Sequence, residues 1–357
     1  MKVLRIPKPY SGGVFLTYKC SSRCKHCMYA CSSKWKADWI SREDAEKVLQ
    51  NLSEAFKTRY PEGYDKIGVN VGLHFTGGEP FLNFDLLLDL VKISDRLEIP
   101  STFVETNCFW AVNDEVTEER LLKLRDEGLH GILISVNPFI LEYVPFERTL
   151  RAIRIASEIF GRNTMIYQDF FRHQIERLGV NGTMPFNEYL KRTGAAGLYY
   201  AELLPMGRAC YELEGLFRKF PAERFFKMSC KEELTRPWHI HVDNYCNYIS
   251  GYCGGISLGD ARNLDEICSG IDLDDHPIIA RLVSDEGIKH LYEFGVEEYG
   301  YQESKSGYIS KCHLCVDIRR HIIEETEEFK ELKPAEFYRN LHGSKEALGR
   351  MFSPICY

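Results

Sequence analysis

The chain of 357 residues lacks any apolar run approaching the ~18 residues that a membrane-crossing helix needs, so membrane insertion is not expected. It also lacks a block of lysine and arginine. Its 45 basic residues are outnumbered by 52 acidic ones, for a net charge of −7, and nothing marks a footprint for nucleic acid or an anionic membrane surface. No hydrophobic segment with a cleavage site follows Met1, so no secretory signal is read and the expected compartment is the cytoplasm. Internal repeats, low-complexity tracts and Ser/Gly linkers are missing too. With 44% hydrophobic and 27% charged residues, composition is ordinary for a globular protein, and the length suits about two domains. Cysteine is the residue in excess, 13 in number. A reducing compartment disfavours structural disulfides, so these thiols point to metal, with a few spare ones buried.

Up to residue 205, short β-rich runs alternate with amphipathic helical patterns. Strands are predicted at 14–17, 67–75, 101–106, 131–136, 164–168 and 198–204. The clearest helix follows Ser41, an N-cap with Asp44 three residues on. Ala45, Val48, Leu49, Leu52, Ala55 and Phe56 then form one apolar stripe. Helical spacing recurs at 82–97, 117–126 and 145–160. Such alternation predicts an α/β fold of parallel βαβ units, an incomplete barrel or strongly curved sheet of six strands, that is, a partial (β/α)6 barrel. Beyond Pro205 the pattern breaks into a short strand at 238–242, a Gly/Tyr/Cys-rich turn region at 246–259, helical stretches at 277–294 and 316–327, and a polar tail from 334. The expected partition is therefore residues 1–209 and a smaller α+β, cysteine-rich domain at 210–357.

Cys20-Ser-Ser-Arg-Cys24-Lys-His-Cys27 places three thiols within eight residues, just after the first strand. Three thiolates on one tight loop suit three corners of a [4Fe–4S] cluster and leave the fourth iron open to substrate or cofactor. A zinc site completed by His26 or Cys31 is the alternative. This C-x3-C-x2-C loop resembles that of the radical S-adenosylmethionine (radical SAM) superfamily, which usually carries an aromatic residue where His26 stands. Thr76-Gly-Gly-Glu-Pro80 follows the second strand, similar to the family's GGEP element. The resemblance implies that Gly77 and Gly78 let the backbone approach the methionine part of SAM, whose ammonium meets a carbonyl or Glu79. Without the family, the same residues suit a tight turn. Asn107 closes the third strand in a Thr-Asn-Cys108 sequence where the family often has Thr-Asn-Gly. Ser135 and Asn137 close the fourth, where the family commonly contacts the cofactor, and Gln168 ends the fifth.

Leu203-Leu-Pro-Met-Gly-Arg-Ala209 resembles the segment that joins the barrel to cluster-binding extensions of the SPASM and twitch types. In that likeness Cys230 precedes the 238–242 strand, Asp243-Asn244 takes the hairpin turn, Cys253 stands in Cys-Gly-Gly-Ile-Ser-Leu-Gly-Asp260, and Cys312-His-Leu-Cys315 closes the site. No cysteine lies between Cys315 and Cys356, so one auxiliary [4Fe–4S] cluster, twitch-like, is expected instead of two. Cys246 and Cys268 are alternative auxiliary ligands, and a zinc held by Cys312 and Cys315 with Cys246 and Cys253 is the bland reading. Cys210 and Cys356 are expected to be inert.

The resemblance implies an enzyme that reductively cleaves SAM to a 5′-deoxyadenosyl radical and abstracts hydrogen from a substrate, fed by a donor such as ferredoxin or flavodoxin. Enzymes with this extension commonly crosslink or oxidise peptide or protein side chains. A start of the cluster motif at residue 20 argues mildly against a built-in leader-binding domain, and a small-molecule substrate such as a porphyrinoid or cofactor precursor stays open. A two-cluster electron carrier and a zinc-stabilised binding module are the non-catalytic rivals. Cys108 and Cys31, near the site in sequence, are candidates to supply a proton or hydrogen atom.

Overall fold

The computed structural model describes residues 2–198, 201 and 203–342. Strand β1 (Ser11–Thr17) is buried along its whole length, as befits a parallel strand covered on both faces. Helix α1 (Arg42–Lys57) starts where the sequence reading put it. The Ser41 hydroxyl accepts from the Asp44 amide at 3.0 Å, and the stripe from Ala45 to Phe56 is buried. The chain then runs β2 (Gly72–Gly77), α2 (Phe84–Arg96), β3 (Phe103–Thr106), α3 (Asp114–Asp126), β4 (Gly131–Ser135), α4 (Phe146–Phe160), β5 (Thr164–Tyr167) and α5 (Asp169–Arg177). Each of these strands lies parallel to the one before it in a central sheet. Their carboxyl ends therefore gather at one edge, where parallel α/β folds place their chemistry.

The expected sixth unit differs. Leu198 ends a 3-10 turn, Ala201, Leu203 and Leu204 belong to no strand, and residues 199, 200 and 202 lie outside the described residues. Leu198, Ala201 and Leu203 are buried. A sixth parallel strand comes from the opposite direction. Strand β6 (Ile240–Val242) pairs with β1 on its free side, and β7 (Tyr248–Ile249) adds to it antiparallel, giving the order β5-β4-β3-β2-β1-β6-β7. The turn between β6 and β7 is built on Asp243, whose Oδ1 accepts from the amides of Tyr245 and Asn247. At the other end of the chain's run, Val3–Leu4 pairs antiparallel with Ile271–Asp272. The parts before and after residue 209 are thus stitched together by two sheets.

Beyond the hairpin the fold is helical, with α6 (Gly287–Tyr299) packed on α7 (Lys311–Glu325). A Cβ at Gly295 would stand 2.8 Å from Ile318, which is why a glycine allows these helices to approach. Replacing the α1 cap, Ser41→Ala, is expected to cost about 1 kcal/mol, measured as a shift in the denaturant midpoint with an unchanged slope.

Candidate active site at the carboxyl edge of the sheet

The loop after β1 carries Cys20, Cys24 and Cys27, and all three face a cavity of about 240 Å³. The same cavity is reached by His26, Gly77, Gly78, Asn107, Ser135 and Asn137. Strand ends separated by more than a hundred residues are thereby brought to one place. Cys31 and Gln168 also line it. Gln168 holds a left-handed backbone, φ 68°, a strained conformation of the kind that clusters at functional sites.

Two side chains buttress the loop. The Asn107 amide donates to Ser21 Oγ at 3.0 Å and to Cys20 Sγ at 3.6 Å. His26 stacks on Phe139 and contacts the Asn137 amide at 3.4 Å, while Asn137 Oδ1 caps the short helix that follows β4. Burial holds His26 neutral, its pKa lowered to about 4. Burial pushes Cys20 up to about 12 and Cys24 well above its ordinary range. Cys27 moves the other way, to about 6, because the Cys31 thiol hydrogen-bonds to it and the charge of Arg208 is near. Cys31 also reaches the Gly77 carbonyl at 3.4 Å. It is a support for Cys27.

The GGEP turn is shaped by close approach to β1. A Cβ at Gly78 would stand 1.9 Å from the Lys19 carbonyl oxygen, and Gly77 has φ 111°. The Gly78 amide donates to the Thr17 carbonyl at 2.7 Å. Glu79 is 1% exposed and turns inward. Its carboxylate accepts from Thr106 Oγ1 and the Asn107 amide, both at 2.9 Å, and from the Phe81 amide at 3.3 Å. Both oxygens thus tie the turn after β2 to the end of β3.

Cys108 is fully buried and does not line the cavity, and its φ of 66° is the conformation a glycine favours.

One residue went unrecognised in the sequence. Arg208, in the junction segment, is 0% exposed. Its guanidinium donates to the carbonyls of Cys24 at 2.9 Å and Cys31 at 3.0 Å, and its amide donates to the Cys27 carbonyl at 3.0 Å. Arginine in a linker gives no local signal for such a role; only its position in the junction motif hinted at it.

The second cysteine group also assembles. Burial pushes the thiols of Cys230, Cys253 and Cys312 up, and each is raised further by Cys315. Cys312 and Cys315 lie near the N-terminal end of α7, which is capped by Ser310. Lys311 and the buried Arg319 bring positive charge to the same place. The proposed rivals stand apart from it. Cys246 occupies the β6–β7 turn beside Asp44 and Arg262, and Cys268 neighbours Lys8 and Asp265. Cys210, which has no partner by spacing, lies near Cys312 and Cys315 and donates to the Pro205 carbonyl. Cys356 lies outside the described residues.

Neither described cysteine group has the close spacing of a tetrahedral zinc site. Tetrahedral zinc would set its sulfurs ~3.8 Å apart. Among the described residues, no three cysteines bring their ligand atoms within 4.8 Å of one another. Every described cysteine is a free thiol.

Residues 14–168 match the family model of the radical SAM superfamily. Those residues form a radical SAM domain, and the chain is an enzyme. Such a domain implies a [4Fe–4S] cluster, SAM cleavage, radical chemistry, and the need for a substrate and a reductant. No curated protein matches the chain. Among solved structures, BtrN in complex with AdoMet and 2-DOIA is 13% identical with a TM-score of 0.44, covering 79% of this chain and 92% of that one. SuiB of Streptococcus suis, bound to the precursor peptide SuiA, is 11% identical with a TM-score of 0.30, covering 69% and 60%. Neither likeness is close enough to say what this radical SAM enzyme acts on. No helix among its described residues is long and apolar enough to cross a membrane.

Arg208→Met leaves the carbonyls of Cys24, Cys31 and Asn340 without their guanidinium donor and is expected to cost about 3 kcal/mol, seen in denaturant unfolding, together with lower iron content per chain. Burial raises Glu79 from 4.5 to about 7. The folded chain therefore binds more protons than the unfolded chain between these values, and stability falls as pH rises through that window. Glu105, raised in the same direction, adds to the slope. Unfolding of Glu79→Gln compared at about pH 5 and about pH 7.5 is expected to show a flatter dependence than the parent.

Proposed function

We propose that this radical SAM enzyme takes a hydrogen atom from a peptide or protein side chain, with one auxiliary [4Fe–4S] cluster in residues 210–357 assisting crosslink formation or oxidation. The likeness of the C-terminal extension carries the substrate reading. The 203–209 segment with Cys230, Cys253, Cys312 and Cys315 resembles the SPASM and twitch types, and enzymes with that extension commonly crosslink or oxidise peptide or protein side chains.

Held by Cys20, Cys24 and Cys27, a cluster would supply the single electron for reductive cleavage of bound SAM and so the means to abstract the substrate hydrogen. The chain's residues do the holding. Cys20, Cys24 and Cys27 are the ligands of the SAM cluster, and Asn107 and the Ser22 amide hydrogen-bond the Cys20 sulfur. Gly77, Gly78, Ser135, Asn137 and His26 surround the space for SAM. Cys230, Cys253, Cys312 and Cys315 are the auxiliary ligands, and complete thiolate ligation suits an electron acceptor for the substrate radical. An electron donor such as ferredoxin or flavodoxin, in the cytoplasm, completes the reading.

Anaerobic iron and sulfide analysis tests the cluster assignment. The parent is expected to hold about eight irons per chain. The triple variant Cys20→Ala/Cys24→Ala/Cys27→Ala is expected to lose SAM cleavage and keep about half the iron; loss of all of it would overturn the two-site partition. A colourless zinc protein would overturn both clusters. For the substrate, deuterium transfer into 5′-deoxyadenosine from a labelled peptide supports the side-chain reading. Transfer only from a labelled small molecule would sink it.

A further inference from the structure

Three histidines that no feature of the SAM site requires meet at the inner end of the cavity. His74 lies on β2, His241 on β6 and His239 just before β6, and all three are buried, the most exposed at 5%. The sheet register explains their meeting. Gly13 on β1 pairs with His74 on one side and His241 on the other. A Cβ at Gly13 would stand 2.3 Å from His74 Nε2 and 2.8 Å from the His241 ring. A glycine in the middle strand therefore lets the two imidazoles close over it.

Their nitrogens are arranged as ligands. His74 Nε2 and His241 Nε2 stand 3.2 Å apart. Two imidazoles bound at the usual zinc distance of about 2.0–2.1 Å in a tetrahedron would have nitrogens ~3.3 Å apart. Ligand atoms of all three histidines lie within 4.8 Å of one another. Backbone and phenol groups set the tautomers. His239 Nδ1 contacts the Val69 carbonyl at 2.9 Å and so donates to it, which puts the lone pair on Nε2. Tyr29 Oη donates to the Gly251 carbonyl at 3.0 Å and lies 2.8 Å from His241 Nδ1, so that nitrogen donates to the phenol and its lone pair is also on Nε2. Such outer hydrogen bonds are the usual support of a metal-binding histidine. The Glu105 carboxylate lies 3.8 Å from His74 Nε2 and also faces the cavity.

We propose that His74, His239 and His241 bind a single divalent transition-metal ion of the zinc type, separate from both cysteine groups. His239, His241 and Glu105 all line the cavity, so a coordination position left open there would hold an oxygen or sulfur donor of the substrate. The site stands on the histidine geometry and does not depend on which substrate or auxiliary cluster the enzyme uses.

The test uses the enzyme with its iron–sulfur sites filled, cleared of loose metal with a chelator and titrated with zinc alone. The parent is expected to take up one zinc per chain, with a nitrogen shell at about 2.0–2.1 Å in X-ray absorption. His239→Ala/His241→Ala is expected to take up none while its iron content, which reports folding and the cysteine sites, stays at the parent's level. His239→Gln, a milder change outside the strand, is expected to weaken zinc binding roughly tenfold or more and keeps the test decisive should the double variant lose its iron. No zinc uptake by the parent would overturn the proposal and leave a plain imidazole–imidazole hydrogen bond at 3.2 Å. Undiminished binding by His239→Gln, or a sulfur-dominated zinc shell, would overturn it too.

Discussion

A buried guanidinium holds the cysteine loop in place. Arg208 is removed from water, and among the described residues no carboxylate pairs with it. A charge in that position is tolerable only if its donors are satisfied, and the carbonyls of Cys24, Cys31 and Asn340 do so. Three distant segments are thereby pinned at one point: the loop after the first strand, the junction that leaves the sheet, and the chain near residue 340. The same charge lowers the cost of ionising Cys20, Cys24, Cys27 and Cys31. One interaction therefore sets both the shape of the loop and its readiness to ligate.

Around that clamp, the edge of the sheet is assembled by ties between neighbouring strands. Glu79 binds β2 to β3, Asn107 binds β3 to the loop, and Asn137 shapes the end of β4. None of these is costless, since Glu79 is held in a site that raises its pKa and Gln168 and Cys108 keep left-handed backbones. Strain and desolvation are concentrated where the fold is most constrained by its neighbours. The far wall of the cavity is supplied by the β6–β7 hairpin, which contributes His239 and His241. The second half of the chain is thus part of the site and not an appendage to it.

Much was legible along the chain because it is local. Helix α1 announced itself through Ser41 and its apolar stripe, the parallel strands through alternation, and the cluster loop through three thiols in eight residues. A spacing of two or three residues survives in sequence because it is short. The described residues of the strand expected at 198–204 are in no ladder, though most are buried, because apolar residues report burial whether or not a ladder forms.

What only the tertiary structure decided are the relations across long separations. That Cys246 sits in a turn while Cys230, Cys253, Cys312 and Cys315 share one neighbourhood depends on helix packing. That Glu79 faces inward depends on where β3 ends, and that Cys108 is sealed depends on the same strand end. The histidines show the reason most clearly. His74 and His241 are 167 positions apart, and they meet because each pairs with Gly13 from opposite sides. Periodicity reveals which face of a strand a residue occupies, but which strands become neighbours is settled by the packing of the whole sheet.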